Sequence, residues 1–189
     1  MKKSSVFEWL INPFTRIAGF QALGLGLISL LLMGFLASLS GIAFDGVLDV
    51  HFIKLSFIQS LEFLAIDVLC LVVVMWITGL IASKSVRFID ILGTMTLAKA
   101  PLVLLAFAGL LVTSPEASEI IKNPAVIFQY TSYFVFLILT IPILIWNITL
   151  MFNAFKTSCG LSGTKLTVSF IIALLASELV SKIVLYIIM

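Results

Sequence analysis

Long apolar runs broken by short polar clusters dominate the chain. A helix needs about 20 apolar residues to cross roughly 30 Å of hydrocarbon. Five runs are long enough, at about residues 17–44, 55–82, 91–112, 130–152 and 166–188. No alternating barrel pattern appears, and a backbone that must satisfy itself in lipid then leaves only helices. The expected fold is all-α. Residues 17–189 form one polytopic bundle of five transmembrane helices, preceded by a short cytoplasmic or interfacial segment at residues 1–16.

Details within the runs refine this. The uncharged stretch from Asn123 to Phe155 would measure about 50 Å as one helix, too long for a perpendicular span. Its start, "NPAVIFQYTSY", is expected at the interface, with Tyr130 and Tyr133 among the headgroups. Pro142 should kink the remainder, and Pro101 should kink the third span. In the first span Gly34, Ser38 and Gly41 share a face with Ala37 beside them, a spacing that lets another backbone come close. The partner helix could lie in this chain or in another copy. In residues 1–16, "SVFEWLINPF" brings Val6, Phe7, Trp9, Leu10 and Ile11 together, as a short amphipathic helix lying flat on the leaflet would.

The opening "MKKSS" has the basic start of a signal peptide. The charge-free run that follows, Ile17 to Phe44, is far longer than the roughly 7–15 residues of a signal core, so an uncleaved first span is expected.

Composition agrees with a bilayer solvent. Hydrophobic residues make up 62% and charged residues 11%, against roughly 45–50% apolar in soluble proteins. A net charge of +2 with no basic patch gives no reason to expect nucleic acid. Two cysteines, Cys70 and Cys159, do not make a disulfide framework. Seven basic residues (Lys2, Lys3, Arg16, Lys84, Arg87, Lys156, Lys165) fall in segments on one side of the spans, and only Lys54 and Lys122 on the other. Positive charge stays inside, so the N-terminus is expected in the cytoplasm and the C-terminus on the far side of a cytoplasmic (inner) membrane.

The candidate chemistry lies in the charges inside the runs: Glu62, Asp67, Lys99, Glu178 and Lys182. A lone charge at mid-bilayer costs about 3 kcal/mol on insertion scales. All five are therefore expected to turn into the bundle and pair, with Asp67, Glu178 and Lys182 near one level. Glu62 and Asp67 are about 140° apart around a helix and need separate partners, whereas Glu178 and Lys182 stack on one face. The cluster is either a structural network or a transport site. His51, in "FDGVLDVHF" beside Asp45 and Asp49, is expected in a solvated loop and is a weak metal signal. "NIT" at Asn147 has the glycosylation pattern but lies within a span. No phosphate-binding loop, zinc-helix signature or serine elbow is present, and neither an enzyme nor a cofactor is expected.

Three stretches together resemble the Yip1 domain family of small membrane proteins. "INPFTRIAGF" is similar to its opening, with Asn-Pro and a basic residue before the first span. "SVRFIDILGTMTLAKAPLVLL" is similar to its central segment, where an acidic residue, here Asp90, precedes a span containing a proline, here Pro101. "IWNITLMFNAFKTSCGLSGTKLTVSFI" is similar to its late segment, through Trp146, Gly160, Ser162 and Lys165. The resemblance implies five spans and a cytoplasmic N-terminus. Eukaryotic members are associated with vesicle traffic and Rab GTPases and carry a longer cytosolic N-terminal region. The brevity here resembles prokaryotic members, and no catalytic residue carries over.

The expected function is that of a non-enzymatic integral membrane protein acting through the lipid bilayer, a protein partner or a homo-oligomer. Lys84, Arg87 and Asp90 are the expected partner or headgroup surface, where anionic lipids concentrate. The alternative is a small transporter or lipid-handling protein that uses the buried charges. It is less favoured because no internal repeat is visible.

Overall fold

The computed structural model describes residues 6–83, 86–115 and 117–188. Five helical segments are long and apolar enough to cross a membrane: Gly19–Ser40, Phe57–Ala82, Phe88–Gly109, Thr131–Cys159 and Gly163–Ile188. We number the elements in chain order. Helix α1 is Val6–Ile11, α2 is Gly19–Ser40 and α3 is Phe57–Ala82. The third segment is two helices, α4 (Phe88–Ala98) and α5 (Leu102–Gly109). A short α6 (Ala117–Lys122) precedes α7 (Thr131–Cys159) and α8 (Gly163–Ile188). Strands β1 (Ile42–Ala43) and β2 (His51–Phe52) pair antiparallel between α2 and α3.

Each helix end has a local cause. Helix α2 stops at Ser40, short of the end of its apolar run, because Gly41 adopts φ 68°, a left-handed conformation that favours glycine. Gly41 is thus a cap, not a packing residue. Helix α3 opens on a reciprocal cap: Ser56 accepts from the Gln59 amide and Gln59 accepts from the Ser56 amide. Gly160 ends α7 at φ 63°. Pro142 sits inside α7 without ending it. Pro101 does divide its segment: α4 ends at Ala98 and α5 resumes at Leu102. The interfacial stretch at the head of the fourth run forms a 3-10 turn, Pro124–Phe128, and Tyr133 lies in the first turn of α7.

The bundle closes most extensively between α2 and α4 and between α3 and α8. Small residues allow the first approach. A Cβ on Gly26 would lie 2.8 Å from the Leu97 amide nitrogen, and one on Gly93 would overlap the Gly19 carbonyl. Of the anticipated packing residues, Gly34 does face a close neighbour, Leu61 of α3. Ser38 instead bonds back to the Phe35 carbonyl at 2.8 Å. The core is filled by Met33, Leu71, Met75, Ile91, Met95, Leu105, Met151 and Phe155, each fully buried.

Two segments outside the spans are tied down. Helix α1 rests against α7, where the Trp146 indole donates to the Leu10 carbonyl at 2.7 Å and Asn153 to the Ile11 carbonyl at 3.1 Å. Phe14 is buried behind it, and the Arg16 guanidinium lies 5.0 Å from the Trp9 ring. The segment is docked on the bundle side, not simply laid flat. The second is the hairpin segment after α2, expected to be solvated. Ile42, Ala43, Phe44 and Val47 are all buried, because these apolar residues fill the mouth between the helices.

Candidate functional site

The hairpin segment explains most of the charges in the spans. Backbone groups placed among helices must find partners, and irregular backbone is tolerated at depth only when buried in protein. Lys99, at the break between α4 and α5, is buried and its ammonium donates to the Val47 carbonyl. Glu178 on α8 accepts from the Leu48 amide at 2.9 Å. Lys182, one turn further along α8, donates to Asp49 and lies 3.8 Å from Glu178. Three successive hairpin residues, Val47, Leu48 and Asp49, are thus held by side chains from two spans. Gly46 leaves room beside them, since a Cβ there would lie 2.5 Å from the Glu178 carboxylate and push it from its place.

Asp67 forms the inner part of the cluster. It is buried on α3 and accepts from the Ser181 hydroxyl of α8. Lys99 and Glu178 lie within electrostatic reach of it. Its second carboxylate oxygen is buried without a hydrogen-bond partner. Removing charges from water is tolerable only where such partners offset the desolvation.

The break itself has a dedicated donor. With Pro101 lacking an N–H and Leu102 turning back to the Lys99 carbonyl, the Ala98 carbonyl loses its helical partner. The buried Asn147 of α7 donates to it at 2.8 Å. Asn147 is therefore a structural ligand of the helix break.

Four of the five expected cluster residues, Asp67, Lys99, Glu178 and Lys182, come together here. Glu62 does not. It is exposed on α3, about 8 Å from the helix start, where its carboxylate can reach the membrane boundary. The sequence assigned no part in this cluster to Val47, Leu48, Asp49, Asn147 or Ser181. Only Asp49 carried a visible signal, a carboxylate near the spans. At the other end, Arg87 pairs with Asp90 at 3.7 Å, and Asp90 abuts Gly19 at the start of α2. Lys84 lies outside the described residues. Cys70 and Cys159 are free thiols.

At the hairpin end, the His51 ring bonds Asp45 at 2.7 Å. A cavity of about 450 Å³ opens beside this pair, walled by Phe52, Tyr133 and Phe136. Three further surface cavities of about 380–410 Å³ are present, and none of the four is lined by Asp67, Lys99, Glu178 or Lys182. These features define an all-α, multi-pass membrane protein whose embedded charges hold a hairpin in the bundle. Comparison with known proteins finds no matching family model, no matching curated protein and no matching solved structure.

Proposed function

We propose that this chain is a non-enzymatic, Yip1-like protein of a cytoplasmic membrane that acts through contacts with lipid, a protein partner or a second copy. The embedded charges are its internal clasp. The observation that carries this reading is where their polar atoms go. The Lys99 ammonium and Glu178 Oε2 bond the backbone of Val47 and Leu48, Glu178 Oε1 lies 3.8 Å from Lys182, and neither Lys99 nor Glu178 lines any of the four cavities. Family membership rests on the resemblance of the three stretches around Pro13, Pro101 and Trp146. The N-terminus faces the cytoplasm in this reading, which turns Arg87 and Asp90 toward anionic headgroups.

One observation favours a second reading. Asp67 combines an unpartnered buried oxygen with a broken helix nearby, as ion-coupled transporters do. Reconstitution into sealed vesicles with ion and pH dyes separates the two. The clasp reading expects no saturable flux, and expects Arg87→Ala to lose a lipid or protein that copurifies from native membranes. Saturable flux abolished by Asp67→Asn would overturn it in favour of transport.

A further inference from the structure

We propose that the hairpin end of the bundle holds one zwitterionic phospholipid, its ammonium beside Asp45, its phosphate beside Lys54 and one acyl chain between α5 and α7. The site shares no residue with the charge clasp, so it stands or falls apart from the reading above. Three cavities meet here. The first, of about 450 Å³, is lined by Asp45, His51, Phe52, Tyr133 and Phe136. The second, of about 380 Å³, runs between α5 and α7 along Ala108, Leu111, Val135 and Leu139, and shares Phe136 with the first. The third, also about 380 Å³, is lined by Ser40, Lys54, Thr113 and Ser114, and shares Phe52 and Ser114 with the first. Val112 lines both the second and the third.

The chemistry of these walls selects the occupant. The first cavity offers a carboxylate, held by the His51 ring, together with an aromatic wall. Phe52 lies 5.2 Å from Phe136 and 5.4 Å from Tyr133 between ring centres. A carboxylate and ring faces both attract an ammonium group. The third cavity offers the opposite sign, an ammonium with the hydroxyls of Ser40, Thr113 and Ser114, which suits a phosphate. The second offers almost no polarity and opens sideways, where Leu111 is 75% and Leu139 46% exposed. From Thr131 to Leu139 it follows α7 for about 12 Å, room for the upper part of one chain. A ligand with both charges in its head and an apolar tail satisfies all three, and a bilayer supplies it in the correct orientation. An anionic lipid would leave Asp45 facing a like charge or nothing.

The test uses the full chain purified in detergent, titrated with phosphatidylethanolamine, phosphatidylglycerol or soluble phosphorylethanolamine. Native mass spectrometry counts bound lipid and the thermal midpoint reports the fold. One phosphatidylethanolamine should bind about tenfold more tightly than phosphatidylglycerol, the scale of one charged hydrogen bond. Asp45→Asn should erase that preference, and Lys54→Ala should weaken both lipids. Leu139→Trp, which fills the groove from an exposed position, should abolish binding, whereas Leu175→Trp on the outer face of α8 should not. Equal binding of the two lipids, retained binding in Leu139→Trp, or equally tight binding of phosphorylethanolamine would each overturn the proposal.

Discussion

Among the described residues, Lys99 has the most demanding environment. Its head is sealed from water and satisfied by one backbone carbonyl, with Asp67 as the nearby countercharge. Lys99→Met removes both roles at once, leaving the Val47 carbonyl unpaired and Asp67 without compensation. The expected cost is about 3–5 kcal/mol, as for other broken buried pairs. Lys182→Met should cost much less, because its side chain is 46% exposed and water can replace it. Denaturation in mixed detergent micelles measures both, and equal midpoints for the two variants would rule out the clasp. Combining Lys99→Met with Asp67→Leu should recover part of the loss, since the orphaned charge goes with its partner. At this scale the sequence shows which residues are costly but not what they hold. The pairing of Glu178 with Lys182 is local and follows from helical spacing. The partners of Lys99 and Asn147 lie 52 and 49 residues away and are backbone carbonyls, which leave no mark in the choice of side chain.

Among elements, the α2–α4 contact rests on backbones that nearly touch. Gly93→Ala would drive a methyl into the Gly19 carbonyl, and neither backbone can yield without separating the helices. Overpacking of this kind costs about 1–3 kcal/mol, and with fixed backbone the upper end applies. Gly24→Ala, in the same helix pair but with nothing within 4 Å of the new methyl, should be neutral or slightly stabilising through helix propensity. Thermal unfolding of the two variants side by side checks this, and a loss of similar size in both would mean that the contact is not close. The five helices are legible because apolar length alone specifies a span. The break at Pro101 is legible as a kink, though its position relative to Lys99 is not. The hairpin is hidden, because in "GIAFDGVLDVHF" Gly41, Asp45, Gly46, Asp49 and His51 interrupt the apolar residues, as turn-forming and charged residues do in a solvated loop. What buries it is the space left at the mouth of the bundle, which exists only after the helices pack.

For the whole molecule, the open quantity is orientation, which decides what the hairpin end and the Arg87–Asp90 end each meet. Five crossings alternate the connections between two faces. The segments before α2 and between α3 and α4 carry five Lys and Arg, and Lys156 in the last turn of α7 and Lys165 in the first turn of α8 bring that side to seven, while the other side has Lys54 and Lys122. Short basic segments resist translocation, so the proposed orientation keeps the first set in the cytoplasm. The asymmetry is large enough that reversing a single charge should not invert the chain. The native thiols sit within the spans, with Cys159 buried and Cys70 half-buried, so surface cysteines can be read against a low background. Ser162→Cys places a thiol in the exposed turn between α7 and α8, and Lys122→Cys places one at the end of α6. In intact cells a membrane-impermeant maleimide should label Lys122→Cys and spare Ser162→Cys until the membrane is opened. The reverse pattern would place Arg87 and Asp90 on the far side and turn the hairpin, its lipid cavities and the clasp toward the cytoplasm. The charge clasp itself would be indifferent to that inversion, because every contact in it is made inside the chain. The headgroup role of Arg87 would not survive, because it depends on the anionic lipids of the cytoplasmic leaflet.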